Sequence, residues 1–456
     1  MATSIADEMV KITYGSLLRN QGKGYYVTLE LLAIVKGTKE ANGDILPSLS
    51  DSPTVNIIRR SHDYIRRILF DPSILNDDEI KHLEDATTLE TLQTLFNSLR
   101  VMPQGSNNNR RTTNWGNEHL FPYVGELIHY DAVNRKVGGV NRPKIEQYRY
   151  RGAGGLAHKI LRSDKNTKRL CNTRAHLEEM IGPSDTALGK ICGALLELDQ
   201  CRDEEPIVDE KDKDAKITHE TKWVELLRSG VNNIVSRTNL VASKRFESLM
   251  HWVPFCIALH QLEVATTILQ SQPIALPIDC RTSTNPIRQK SQQAFNHSKN
   301  YIFKALEANA QKIIVDLGGR DPERENEINE LLEQKTQSWR KTCRAFFSST
   351  LADIGFLNAL KGRQHYSLKL PMIEAIVLAV IEPQRQVPFE SFCSDILFQR
   401  LSLVIDEKSA ELDPIGDQVD LTEFQENRES FAKKLRSLGM LNEFSDATRM
   451  VGGEVV

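Results

Sequence analysis

Between residues 134 and 174 the chain gathers twelve lysines and arginines against two acids, Glu146 and Asp164. Cations at that density are suited to neutralising phosphate. Within the run, QYRYRGAGGLAHKILRSDKNTKR (147–169) alternates Tyr148 and Tyr150 with Arg149 and Arg151, then passes through Gly152, Gly154 and Gly155 into an apolar, basic segment. Read as a strand, the tyrosines lie on one face and the arginines on the other. The glycines let the backbone turn tightly. A helix beginning near Gly155 would offer free N–H donors and a partial positive charge to an anion. His158, Arg162 and Lys165 would carry the basic face on at helical spacing. Arg149, Arg151, Lys159, Arg162, Lys165, Lys168 and Arg169 are the candidate nucleic-acid contacts, acting by charge neutralisation and not by base choice. Two blander readings stand beside this one. The same cations could be a solvated face, or could meet an acidic protein surface.

Motifs for catalysis are missing or out of register. GPSDTALGKI (182–191) puts six residues between Gly182 and Gly189, and Ile191 follows Lys190. An NTPase phosphate loop needs four residues there and a hydroxyl after the lysine. The stretch reads instead as a helix break at Gly182-Pro183-Ser184-Asp185 followed by an N-cap. His251, Cys256 and His260 fall on different faces of one apolar helix, which disfavours a shared metal. Asp279 closes the extended IALPID, but no Glu-x-Lys follows on a second strand to complete a nuclease site. GxSxG is absent. No catalytic residue, metal ligand or cofactor is assigned, and an enzyme with an unrecognised site stays open as a third reading.

The elements that would position these residues are mostly helical. The chain has 456 residues, a formal net charge of -3, 40% hydrophobic and 26% charged residues. That length exceeds one core, so several domains are expected. Seven cysteines (171, 192, 201, 256, 280, 343, 393) without paired spacing suggest reduced thiols. With no leader-like N-terminus and no bilayer-length apolar run, a cytoplasmic protein without membrane contact is expected. Helical periodicity marks 24–37, 54–70, 88–102, 174–181, 185–200, 222–237, 244–269, 287–314 and 323–357, with hairpin punctuation over 118–152. The expected organisation is an N-terminal helical region (1–117), a basic α+β region (118–200), a charged linker (201–221), a helical domain (222–361) and a C-terminal domain (362–456).

The last segment has the clearest pattern. YSLKL is a short strand. PMIEAIVLAVI sets Met372, Ile373, Ile376, Val377 and Val380 on one helical face. FESFCSDILFQRLSLVI buries Phe389, Phe392, Cys393, Ile396 and Leu397. An acidic loop follows, DEKSAELDPIGDQVDL. ENRESFAKKLRSLG buries Phe431, Leu435 and Leu438 and stops at Gly439. MLNEFSDATRMV turns at Ser445-Asp446-Ala447 as a hairpin. Three helices followed by a hairpin ending in LRSLGMLNEFSD resemble the third helix and wing of the winged-helix superfamily, over about 366–456. In DNA-binding members that helix enters the major groove. The resemblance implies an outward face of Glu426, Glu429, Ser430, Lys433 and Arg436, adding Lys433 and Arg436 to the candidate contacts. Residues 362–456 carry ten basic against sixteen acidic residues, so a protein-contact role is favoured at this end.

The fold class expected is therefore mainly α and multi-domain, with helical bundles, a small β-hairpin element near 118–152 and a winged-helix-like C-terminal domain. The function expected is that of a non-catalytic nucleic-acid-associated protein, or a subunit of a DNA-acting complex. A bacterial DNA-maintenance or phage-defence system would suit it. DNA or RNA and protein subunits of a larger complex are its expected partners. A protein-only helical scaffold is the alternative.

Overall fold

The computed structural model describes residues 5–18, 24–58, 86–99, 121–128, 132–137, 140–145, 152–197, 207–208, 217–333, 338–360, 363–444 and 448–452, with the backbone alone for 132–145, 207–208 and 338–343. The chain is mainly helical, as the periodicity requires, and carries only small sheets. It forms two compact units, one of residues 26–217 with 238–247, the other of 1–25, 218–237 and 248–456. Helix α1 (Ile5–Tyr14) opens the chain and belongs to the second unit.

The first unit is built on α2 (Tyr26–Asn42), which is buried nearly all round. Strand β1 (Asn56–Ile57) lies beside it. Most of the helix expected over 54–70 lies outside the described residues. Helix α3 (Ala86–Ser98) contributes Phe96, and the short turn Gly125–Leu127 contributes Leu127, to a small apolar core. Next come the antiparallel strands β2 (Ala132–Val137) and β3 (Val140–Ile145), the hairpin anticipated in this region. Three helices follow, α4 (Ala153–Arg162), α5 (Thr167–Ile181) and α6 (Ala187–Glu197). Asn166 caps α5 by accepting from the Arg169 N–H at 3.0 Å. Helix α6 closes the small core with Cys192 and Leu195. Strand β4 (Ile207–Val208) pairs back onto β1.

In the second unit, α7 (Lys222–Val235) and the part of the 27-residue α8 (Ala242–Ile268, with Pro254 inside it) from Ser248 onward lead to β5 (Leu276–Pro277). Helix α9 (Pro286–Leu317) shows legible ends. Asn285 caps it by accepting from the Arg288 N–H at 3.0 Å, Pro286 occupies the first turn, and Gly318 leaves it at φ 56°. Helices α10 (Pro322–Glu333) and α11 (Ser338–Asp353) cover the span expected as one helix over 323–357; residues 334–337 between them lie outside the described set. Strands β6 (Leu357–Asn358) and β7 (His365–Tyr366) pair antiparallel. Around them Phe255, Phe356, Tyr366 and Phe295 pack in series, tilted or edge-on, with centroids 4.8–5.6 Å apart, a buried aromatic core.

The C-terminal part starts with α12 (Leu370–Val380), apolar and buried on nearly every side. Strand β8 (Gln386–Pro388) leads into a helical turn, Phe389–Ser391, that widens to a π-helix, Phe392–Arg400. The helix stops there, earlier than the apolar run to Ile405 suggested. Leu403–Val404 form β9 instead, parallel to β5. A short Leu-Val-Ile run fits either state by periodicity, and a strand partner decides it. Asp406 caps the short α13 (Glu407–Glu411) inside what read as a loop. Helix α14 (Leu421–Ser437) begins at Asp420, which accepts from the Thr422 N–H, several residues before the stretch read as helical. Strands β10 (Leu441–Glu443) and β11 (Arg449–Gly452) finish the chain. Strand β11 lies between β10 and β8 in one antiparallel sheet.

Candidate nucleic-acid interface

The glycine-rich turn before α4 is not an open anion cradle. The Glu30 carboxylate of α2 fills it, accepting from the Gly152 N–H at 3.0 Å and the Gly154 N–H at 2.7 Å. A helix N-terminus favours negative charge, and here the protein supplies it internally. The glycines serve packing. A Cβ at Gly154 would sit 2.6 Å from both Glu30 Cγ and the Val27 carbonyl oxygen.

Several cations of the basic run are likewise engaged. Arg162 is 5% exposed. Its Nε donates to the Pro47 carbonyl at 2.7 Å, and its Nη2 donates to the carbonyl of Ser52. Such a guanidinium ties the 47–52 turn to α4 and does not face a ligand. Arg169 makes a two-pronged ion pair with Asp164, at 2.6 and 2.9 Å. Arg174 donates to the Leu46 carbonyl at 2.8 Å. Lys159 is half-buried and engaged. Lys165 and Lys168 stand exposed at the α4–α5 corner and make no ion pair among the described residues. Arg149 and Arg151, with the flanking tyrosines, lie outside the described residues.

The hairpin adds cations that the candidate set left out. Its register sets Arg135 opposite Arg142, Lys136 opposite Asn141 and Val133 opposite Lys144. No acidic residue occurs between Ala132 and Ile145. Like charges directly opposite each other on an antiparallel pair are unfavourable. The signal that could have found this pair is the even spacing of NRKVGGVNR about the Gly138-Gly139 turn.

At the other end of the chain, Lys433 is exposed and Arg436 pairs with Glu443. The acids of α14 are heavily committed. Arg281 bonds Glu423 and Glu426, and Arg449 bonds Glu429 at 3.0 Å and Glu390 at 2.9 Å. Arg428 bonds Glu407. Asn427, fully buried, accepts from the Cys280 N–H at 2.8 Å and donates to the carbonyls of Ile278 and Ile405 at 3.0 and 2.8 Å. It knits α14 to the ends of β5 and β9.

No family model, curated protein or solved structure matches this chain. The function must be argued from its own residues.

The groups set aside as non-catalytic sit as follows. Asp279 is buried and holds Arg288 Nε at 2.6 Å and Asn285 Nδ2 at 3.0 Å, so its charge is spent within the fold. His251 Nδ1 lies 2.9 Å from the Ile354 carbonyl, and His260 Nδ1 lies 2.8 Å from the Thr221 hydroxyl. Burial, with the nearby His219, lowers the His260 pKa to about 3. No group of three or more His, Cys, Asp and Glu side chains among the described residues could hold a metal. No helix among them is long and apolar enough to cross a membrane.

Proposed function

We propose that this chain is a nucleic-acid-associated protein, a subunit of a DNA-acting complex, that neutralises phosphate backbone through the β2–β3 hairpin and the α4–α5 corner. The observation that carries this reading is the register of Arg135 against Arg142 in a hairpin free of acids. A polyanion would relieve that opposition, and each phosphate neutralised releases counterions. Lys165 and Lys168 are exposed cations of the same basic run; Arg149 and Arg151 are expected contacts. Arg162 and Arg169, with their internal partners, hold the scaffold in this reading.

At the C-terminus, α12, β8, the π-helix, α14, β10 and β11, with β11 between β8 and β10, support a winged-helix module; β9 and the short α13 are inserted before α14. With α13 counted as an insertion, the recognition-type helix would be α14. The ion pairs that occupy Glu423, Glu426 and Glu429 favour a protein-contact role for that helix over groove reading. A DNA-maintenance or phage-defence complex would use the two surfaces together.

Binding of labelled duplex DNA and single-stranded RNA, titrated at about 50 and about 200 mM salt, tests the proposal. Affinity should fall at least tenfold between the two, and should fall at low salt in R135E/R142E and in K165E/K168E. Undetectable or salt-independent binding, with protein partners still co-purifying, would overturn it in favour of the protein-only scaffold.

A further inference from the structure

A second site lies in the other unit, around Lys222 and Ser402. Lys222 is the first residue of α7, and its Nζ lies 2.6 Å from Ser402 Oγ. Ser402 sits between the end of the π-helix and β9. It holds a left-handed backbone, φ 59°. For a residue with a Cβ that conformation costs of order 1 kcal/mol, and glycine is the economical choice there. Such a turn fixes the direction of the Ser402 Cβ, and the contact with Lys222 Nζ orients its hydroxyl. The Ser402 backbone is pinned on both sides, its N–H donating to the Phe398 carbonyl at 2.7 Å and its own carbonyl accepting from the Leu276 N–H at 2.8 Å.

The surroundings suit a base more than an ion pair. Burial lowers the Lys222 pKa from its ordinary value, and Glu263 only partly opposes this. Glu263 Oε1 accepts from the Lys222 backbone N–H at 3.4 Å, while its Oε2 is buried with no hydrogen-bond partner. Next to Lys222, Thr221 bonds His260, and His219 Nε2 is buried without a partner. Orphaned buried polar atoms are costly, and they recur where a ligand completes a site. A Lys neutral enough to accept a proton, beside a hydroxyl held in a constrained turn, is a recognised way to activate a serine.

We propose that Ser402 and Lys222 form a nucleophile–base pair for acyl transfer on an uncharged ester or amide. The site is separate from the nucleic-acid surface. It takes up the third reading of the sequence, an enzyme whose site no motif announces. The Ser402 oxygen attacks the acyl carbon while its proton passes to the neutral Lys222 amine. The resulting ammonium returns that proton to the leaving alcohol or amine, leaving an ester on Ser402. Water, deprotonated by the same amine, then hydrolyses the ester and frees the serine. A substrate carboxylate near the scissile bond is disfavoured by Glu263. Its unpartnered Oε2 would accept from a substrate N–H or hydroxyl.

A fluorophosphonate probe tests the pair on the full chain, because bond formation at Ser402 expels fluoride and needs the same proton transfer. Mass spectrometry should place the adduct on Ser402, and S402A should abolish it. K222R keeps a cation but cannot act as a base, so it should slow labelling by about a hundredfold, as should K222M. The wild-type labelling rate should rise with pH through a midpoint below the ordinary lysine value of 10.5. Glu263 is the titratable group coupled to Lys222; His260, bonded to the neighbouring Thr221, and His219, coupled to His260, lie beyond it. Two results overturn the proposal. One is wild-type protein that gives no Ser402 adduct between about pH 6 and pH 10, an outcome independent of how the variants fold. The other is K222R that labels at the wild-type rate, which would make the contact a structural cap.

Discussion

The cations of the basic run divide at the level of single side chains, and substitutions should separate them. Arg162→Ala removes a buried guanidinium that donates to the half-buried carbonyls of Pro47 and Ser52. It should cost about 2–4 kcal/mol, read as a lower urea midpoint. Lys165→Ala and Lys168→Ala, exposed and outside any ion pair among the described residues, should stay within about 0.5 kcal/mol of wild type. If they weaken nucleic acid while leaving stability unchanged, the two roles are separated. The glycines give a matched pair. Gly154→Ala would press a methyl against Glu30 and the Val27 carbonyl, and should destabilise by about 2 kcal/mol or more. Gly155→Ala meets nothing closer than 4.0 Å and should be neutral or mildly stabilising, since alanine is the better helix former.

At the scale of elements, helix α14 is attached by one buried polar residue as well as by its apolar face. Asn427 satisfies three backbone groups from two parallel strand ends and the residue after one of them. Asn427→Ala should cost about 3 kcal/mol, because three buried polar groups lose their partner. Asn427→Asp should cost more, because it sets a carboxylate against the carbonyls of Ile278 and Ile405 that now receive N–H donors. Thermal unfolding of the two variants in parallel checks the order. The Gly230 face of α7 shows the same logic without charge. A Cβ there would come within 2.1 Å of Trp252 Nε1, so the close approach of α7 to α8 depends on that glycine.

For the molecule as a whole, acid is the condition to which this fold should be most sensitive. His158 and His260 are buried, and burial holds each at about 3 against an ordinary 6.5. Their neutral forms are the ones that fold. Below about pH 6.5 the unfolded chain takes up protons that the folded chain refuses, so stability falls from there toward pH 3. At about pH 5 the loss should be about 2 kcal/mol for each of the two histidines. His219 and His365 are shifted in the same direction by burial and add to it. Urea midpoints at about pH 7.5 and pH 5 measure the effect, and His158→Gln or His260→Gln should reduce the pH dependence. A midpoint that does not move between those two pH values would show that the imidazoles are solvated.

What the sequence determined by itself is what short-range physics encodes. The ends of α9 were legible because Asn285-Pro286 and Gly318 cap a helix through their own backbone preferences. So were α12, from its apolar face of Met372, Ile373, Ile376, Val377 and Val380, and the hairpin near Gly138-Gly139. The density of positive charge was legible as composition. Which of those charges remain available was decided by the tertiary structure. Glu30 reaches the α4 N-terminus from 124 residues away, and Arg162 and Arg174 spend themselves on carbonyls more than 100 residues upstream. Lys222 and Ser402 meet across 180 residues, with no motif to announce them. Periodicity says that a helix has a face to bury. It does not say which distant carbonyl, carboxylate or hydroxyl will be opposite that face. Only packing of the whole chain brings such groups within hydrogen-bonding range.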